Sequence, residues 1–309
     1  MSNRQIHIET PLIDSLPLRR RVGARVWLKM ESLQPCGSFK VRGIGFACQR
    51  YLERGCNRFV SSSGGNAGLA VAYSGRKLGV PVIVVVPEST SERARELIMQ
   101  ESAEVIVHGA SWQEAHYHAL ALIDQHAAYI HPFDDPLIWE GHASLINEVA
   151  TFGLEPDAVV LSVGGGGLLC GIAEGLRRVG WSSVPIVTSE TIGAESFYKS
   201  VQANELIELD EISSIATTLG AKKVAARALE VSREYRVLPH VVSDREAIEA
   251  CLNFADDHRI IVEPACGAAL ALAYQPVDAL KARRDVLVVV CGGAGVSYQK
   301  LIEFRNKAV

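Results

Sequence analysis

The sequence predicts an α/β protein of two lobes, each an open three-layer αβα arrangement around a mainly parallel, twisted sheet. Three observations carry this. β-branched runs such as VIVVV (82–86) alternate with stretches of helical spacing, an order that needs crossover connections and parallel pairing. Three strand ends run into glycine, as strands do where a parallel sheet holds a ligand at its carboxyl edge. The alternation also comes in two series, separated by the proline-bounded turn from Pro132 to Pro136, so that two lobes face each other across a cleft.

In the first series RFVSSS (58–63) reads as a strand, Ala67 to Leu78 as a helix and VPVIVVVP (80–87) as a strand. SERARELIMQES (91–102) is helical, AEVIVHG (103–109) a strand, SWQEAHYHALALIDQH (111–126) helical, and AYIHPF (128–133) a strand ending in a proline-aspartate turn. The second series opens with a helix from about Trp139 to Thr151, followed by the strand AVVLSV (158–163), four glycines, a helix, the strand PIVTSE (185–190) and another helix. Residues 205–245 read as helical with short connections, and the chain closes with DVLVVV (285–290), CGGAG and a last helix.

Composition narrows the function. With 309 residues, 48% of them hydrophobic and 21% charged, the chain can bury a sizeable core. A net charge of -4, from 31 basic and 35 acidic residues, leaves no electrostatic footprint for nucleic acid or anionic lipid, so the expected partner is a small molecule. Seven scattered cysteines without a CxxC pair suit a reducing compartment. No run approaches the ~18 apolar residues of a membrane span and the N-terminal stretch has no signal-like apolar core, so the expected location is the cytoplasm.

Three glycine loops and one lysine carry the chemistry. SSSGGNAG (61–68) offers backbone N–H groups and hydroxyls at a helix start, suited either to a carboxylate or to a capped tight turn. SVGGGGLLCG (162–171) is more specific: Gly164, Gly165, Gly166 and Gly167 remove every Cβ that would hinder a phosphate, and a helix follows at once. It is not a Walker A loop, but Glu190 lies about where a nicotinamide-binding loop would have its acidic partner, which keeps an oxidoreductase reading open. The third loop, VVVCGGAG (288–295), places Cys291 at a strand end beside the cleft. GSFKVRG (37–43) sets Lys40 against Phe39 between glycines, where burial would lower its pKa and free the amine for attack on an aldehyde. A desolvated lysine with a phosphate cup points to pyridoxal 5'-phosphate held as a Schiff base on Lys40.

KMESLQPCGSFKVRG (29–43) resembles the lysine motif of the fold-type II, tryptophan synthase β-like pyridoxal phosphate enzymes. SSGGNAG, HPFDDPLIWEGHAS, SVGGGGLLCG, VEPACGAAL and VVCGG extend the resemblance over nearly the whole chain to the L-serine/threonine dehydratases, in particular their animal-type and serine dehydratase-like members. The resemblance implies β-elimination of L-serine to pyruvate and ammonia, and of L-threonine to 2-oxobutyrate. It implies a small domain (34–131) inserted into a larger cofactor-binding domain (1–33 and 132–309), assembled as a homodimer. Lys40 would be the Schiff-base lysine and the base at Cα, Phe39 would cover one ring face, and Asn66 would bond the cofactor's 3′-oxygen. Ser63, Gly64, Gly65, Asn66 and Ala67 would hold the substrate carboxylate, and either the cofactor's phosphate or Ser63 would supply the proton to the leaving hydroxyl. Gly164 to Gly167 would cradle the phosphate, Glu190 would lie near the ring, and Cys291 would face the pyridine nitrogen. A thiol there weakens the electron sink and favours prompt elimination over racemisation or transamination. The family's monovalent cation, typically K+, would sit on the carbonyls of Gly164, Ala194, Leu219 and Ala221.

Gly64 and Ala294 depart from residues found in some members, and the chain stops near Val309, short of the regulatory domain of biosynthetic threonine dehydratases. Threonine synthase or cysteine synthase chemistry, a nicotinamide-dependent oxidoreductase and a non-catalytic amino-acid-binding module are the competing readings. His131, Asp134, Asp135, Glu140 and His142 could also be assembled into a metal site, but their spacing matches no helical metal motif, and PFDDP reads as an acidic cap.

Overall fold

The computed structural model describes residues 5–307; the first four residues of the N-terminal stretch and the last two of the chain, ending at Val309, lie outside that range. Ten strands and twelve α-helices occur among the described residues. In chain order they are β1 (Leu12–Asp14), α1 (Leu16–Val22), β2 (Arg25–Lys29), α2 (Lys40–Glu53), β3 (Arg58–Ser61), α3 (Asn66–Leu78), β4 (Val82–Val86) and α4 (Glu92–Gln100). There follow β5 (Glu104–Val107), α5 (Trp112–Ala121), β6 (Ala127–Tyr129), α6 (Pro136–Thr151), β7 (Ala158–Ser162), α7 (Gly167–Arg178), β8 (Ile186–Thr191) and α8 (Ser196–Ala203). The last are α9 (Ala226–Glu234), β9 (Val237–Val242), α10 (Asp244–His258), α11 (Pro264–Tyr274), β10 (Asp285–Val289) and α12 (Tyr298–Lys307).

The β-branched runs assemble into two sheets, as the sequence predicts. One has the order β5-β4-β3-β6 and is parallel throughout; the other has the order β1-β2-β10-β7-β8-β9 and is parallel except for the β1–β2 edge. β7 and β10 are buried along their whole length, because helices cover both faces of a sheet built by crossovers. The strand order decides where ligands can bind. In the smaller sheet the chain leaves β3 toward β4 and returns on its other side as β6; in the larger one it leaves β7 toward β8 and returns as β10. A crevice opens at the carboxyl end of a strand where the order reverses in this way, and SSSGGNAG follows β3 while the tetraglycine follows β7.

The helix α6 joins the two cores. It meets α2 on one side and α7 on another, and the backbones of α2 and α6 approach so closely that a Cβ on Gly141 would lie 2.6 Å from the Arg42 carbonyl oxygen. Beneath this contact the buried Arg42 guanidinium bonds Glu31 (Nε–Oε2 2.6 Å) and Glu148 (Nη1–Oε1 2.6 Å), while Lys29 Nζ bonds Glu148 Oε2 at 2.5 Å.

Two sequence expectations need correction. Residues 205–245 are not simply helical: α9 is flanked by an irregular stretch with one 3-10 turn (Thr217–Leu219) and by β9, which pairs with β8 as an edge strand. Pro239 masks β9 in the sequence, yet a residue without an N–H is tolerated where one side of the strand pairs with nothing. The helix expected to reach residue 126 ends at Ala121, followed by a turn in which Asp124 Oδ1 accepts from the His126 amide at 2.9 Å.

Candidate active site

Lys40 is the first residue of α2 and comes after a loop clamped across the cleft: Ser38 bridges to Gly292, and the Phe39 amide donates to the Cys291 carbonyl at 3.2 Å. Its ammonium donates to the Pro132 carbonyl at 2.7 Å and lies 5.3 Å from the centroid of Phe39. Burial pulls the Lys40 pKa down to about 8, against the opposing charge of Glu263. The position at a helix N-terminus also disfavours positive charge. The result is an amine that spends an appreciable fraction of its time neutral near physiological pH. Phe39 in turn rests on His142, with ring centroids 5.0 Å apart, and His142 Nδ1 accepts from the Gly43 amide at 3.2 Å.

The asparagine loop faces this lysine from the smaller sheet. Its last residues start α3, whose first N–H groups have no partner within their own helix. Ser63 Oγ accepts weakly from the Gly65 amide at 3.4 Å, and Gly64 packs against Thr90, where an added Cβ would come within 2.6 Å of Cγ2. Asn66 is held from the opposite lobe: its Nδ2 donates to Glu263 Oε1 at 2.7 Å and its Oδ1 accepts from the Ala294 amide at 3.0 Å. A small cavity of about 40 Å³ lies here, bordered by Gly64, Asn66, Thr218, Glu263 and Ala294.

The tetraglycine forms the other wall. Gly166 takes a left-handed conformation (φ 88°) and α7 begins at the next residue, leaving the first helical N–H groups unpaired within the helix. The loop is pinned by the Ala225 amide donating to the Gly165 carbonyl at 3.0 Å. Its outer side is closed by Phe133, whose ring a Cβ on Gly165 would strike, and by Ala228, 2.5 Å from where a Cβ on Gly166 would sit. Glycine is therefore required by close packing as well as by access.

Cys291 follows β10 and is buried beside Cys266; that neighbouring thiol, together with burial, pushes its pKa well up, so it is a neutral thiol. Gly164 lies against Leu219, and Ser196 Oγ donates to the Ala221 carbonyl at 2.8 Å, so three of the four carbonyl-bearing positions expected around a cation come from segments that touch, while Ala194 ends the turn before α8. Glu190 lies in β8 and is buried. Both its oxygens accept from amides at the start of α8, Phe197 at 2.9 Å and Tyr198 at 2.6 Å, so its carboxyl serves that helix. In the HPFDDP stretch, Asp135 accepts from the Leu137 amide at 2.8 Å, and His131 Nδ1 accepts from the Asp134 amide at 2.7 Å. No group of three or more His, Cys, Asp or Glu side chains placed to hold a metal occurs among the described residues.

A lysine amine kept partly neutral, with a tetraglycine helix start and two strand-order reversals, is the arrangement of a known family. Residues 4–292 match the family described as pyridoxal-phosphate dependent enzyme. The chain belongs to that family. This pyridoxal phosphate-dependent enzyme is 47% identical to the L-serine dehydratase/L-threonine deaminase of Bos taurus, in a match covering 99% of this chain and 97% of the bovine protein. It is 50% identical to the serine dehydratase-like protein of Mus musculus, covering 97% of this chain and 94% of that one. Its structure superposes on a fungal L-serine ammonia-lyase from Rhizomucor miehei with a TM-score of 0.93 and 39% identity, over 99% of this chain and 100% of the fungal one.

The residues present fit the cofactor. Lys40 supplies an amine for its aldehyde, the amides from Gly164 onward lie at the start of α7 in a loop that only glycine lets pack against Phe133 and Ala228, and Cys291 supplies an uncharged neighbour. Glu263, Thr218, Pro132 and Phe133 contribute to the site without having been singled out in the sequence. Glu263 lies inside VEPACGAAL, where the sole hint was a carboxylate following the apolar stretch IIV and preceding an almost wholly apolar helix.

Proposed function

We propose that the enzyme is an L-serine/L-threonine ammonia-lyase, converting L-serine to pyruvate and ammonia and L-threonine to 2-oxobutyrate and ammonia. The observation that carries this is the burial-lowered Lys40 amine set between the asparagine loop and the tetraglycine, with the neutral thiol of Cys291 completing the site. Near half-identity over the full length to proteins named L-serine dehydratase/L-threonine deaminase supports the same reading.

When bound, pyridoxal phosphate supplies the electron sink that acidifies the Cα–H of an amino acid joined to it. The rest is done by this chain. Amides from Gly164 to Gly167 hold the phosphate, and Asn66 holds the ring's 3′-oxygen side. Ser63 and the backbone from Gly64 to Ala67 bind the substrate carboxylate at the start of α3, where the helix dipole favours an anion. Lys40 both anchors the cofactor and, as the neutral amine, takes the Cα proton. The β-hydroxyl leaves with a proton as water, and Ser63 Oγ in the loop is a protein donor for it. The released 2-aminoacrylate takes up water to give pyruvate and ammonia, so the atoms balance. Because Cys291 carries no charge, it would not hold the nitrogen of a bound cofactor protonated by ion pairing, which favours elimination over racemisation.

A monovalent cation such as K+ on the carbonyls of Gly164, Ala194, Leu219 and Ala221 belongs to the same proposal, supported by the contact of Gly164 with Leu219. Seven free cysteines, most of them buried, favour the reducing environment of the cytoplasm. No helix among the described residues is long and apolar enough to cross a membrane.

The test is to incubate the purified enzyme, loaded with pyridoxal phosphate, with L- and D-forms of serine and threonine and to assay oxo acid. Pyruvate from L-serine, lost together with the visible Schiff-base absorbance in Lys40→Ala, is the expected result. D-serine accumulating in place of pyruvate would refute the proposal, as would absorbance without turnover of either L-amino acid.

A further inference from the structure

Glu263 is the residue around which the two lobes meet, and the reaction as described above gives it no role. It precedes α11 in the larger lobe and is 6% exposed. Its Oε1 accepts from Thr218 Oγ1 at 2.6 Å, within its own lobe, and from Asn66 Nδ2 at 2.7 Å, across the cleft. The Gly295 amide adds a further bond, and a Cβ on Gly293 would run into the carboxylate, so the loop after Cys291 is shaped around it. The ionisable groups facing it are Lys40 on α2, Cys251 on α10 and Cys291 after β10.

A side-chain amide has two N–H donors and one carbonyl oxygen, and either end can face a given neighbour. At Asn66 both neighbours agree on one orientation. The Ala294 amide can only donate, so it takes the oxygen; an ionised carboxylate can only accept, so it takes one N–H. The second N–H is left for the cleft, at the residue assigned to the cofactor's 3′-oxygen.

We propose that Glu263 is a positioning residue, whose carboxylate fixes the orientation of the Asn66 amide, presents its free N–H to the cofactor and ties the asparagine loop to the larger lobe. The inference rests on the pyridoxal phosphate reading of this cleft. It has a consequence with pH: burial pushes the Glu263 pKa up to about 7, opposed by its bonds from Thr218 and Asn66 and by the nearby Lys40. A protonated carboxyl can donate as well as accept, so the amide is held firmly only above that value.

The test uses the full-length holoenzyme and reads the rate of cofactor release into a trapping solution, followed through the visible band, alongside KM and kcat. Glu263→Gln keeps the shape and removes the charge; it is expected to release cofactor about tenfold faster, the loss of one bond to a charged acceptor, and to flatten the dependence of release on pH between 6 and 8. In an Asn66→Ala background the same substitution is expected to change release less than twofold, because Glu263 acts through that amide. Thr218→Val, which removes the carboxylate's other anchor, is expected to speed release in the same Asn66-dependent way and serves if Glu263→Gln does not fold. An effect of equal size with and without Asn66, or release within twofold of wild type for both Glu263→Gln and Thr218→Val, overturns the proposal. A wild-type protein with no visible cofactor band would instead refute the cofactor reading itself.

Discussion

At the scale of the residue, the site depends on atoms that are missing as much as on those present. A lysine becomes a usable base when its ammonium is poorly solvated, and Lys40 meets that condition at a helix start, between a carbonyl and an aromatic ring. The glycines opposite it make the complementary contribution. Gly165→Ala would drive a methyl group into the Phe133 ring. Overpacking of this kind costs about 1–3 kcal/mol, so the urea midpoint should drop by a corresponding amount and cofactor affinity should weaken. Adding Phe133→Leu should recover part of both; no recovery would mean that the glycine is needed for the cofactor alone.

At the scale of the element, helix starts do much of the organising. α3 and α7 begin at the cleft without a side-chain cap, leaving their first N–H groups for a ligand, and α2 begins there with Lys40. α6, which carries no part of the ligand cradle, is capped by its own sequence: Asp135 Oδ1 accepts from the Leu137 amide, Pro136 supplies the first turn, and Asp135 Oδ2 accepts from Tyr51 on α2 at 2.8 Å. Asp135→Ala should therefore cost about 1 kcal/mol for the cap, measurable by chemical denaturation, with a further loss from the stranded Tyr51 hydroxyl. Tyr51→Phe should remove that further loss when combined with it. The acidic turn thus has a structural use, as PFDDP suggested, with Asp135 and His131 both accepting from backbone amides.

At the scale of the whole molecule, buried ionisable groups set the pH range of stability. His7, beside the Arg42–Glu148–Lys29 cluster, and His131 are held to about 4 chiefly by burial, and burial lowers His142 well below its ordinary value too. Each contributes stability that is present above the ordinary histidine value of ~6.5 and is lost as pH falls toward 4. Glu190 and Glu263 act in the opposite direction. Burial raises them to about 8 and about 7, so their contribution is complete below the ordinary carboxyl value and is lost as pH rises through those values. With more burial-lowered histidines than burial-raised carboxyls, stability rises with pH up to about 6.5; beyond that Glu190 and Glu263 outweigh the onset of the burial-lowered Lys40 near 8 and it falls. The melting temperature should accordingly peak between pH 6 and 7, and Glu190→Gln should flatten the alkaline limb while His7→Gln flattens the acid one. A melting temperature that climbs steadily from pH 6 to 8 in the wild type would contradict this balance.

What the sequence determined by itself was whatever is written in contiguous residues. The βα alternation, the parallel sheets, the three glycine loops and the lysine were all readable, because each rests on periodicity, on backbone freedom at glycine or on a short motif. What only the tertiary structure decided was which distant groups meet. Glu263 and Asn66 are 197 residues apart, and only the strand order brings the start of α11 to the start of α3. Glu190 could be placed at a strand end from its position, but not which way its carboxyl turns, since the side chains of a strand alternate faces and the amides of α8 come from a later segment. β9 stayed hidden because its pairing with β8 is a non-local gain that outweighs a local signal against it, the proline in its middle. Local propensity is encoded along the chain, whereas contacts across the cleft exist only after both lobes have folded and been docked by α6.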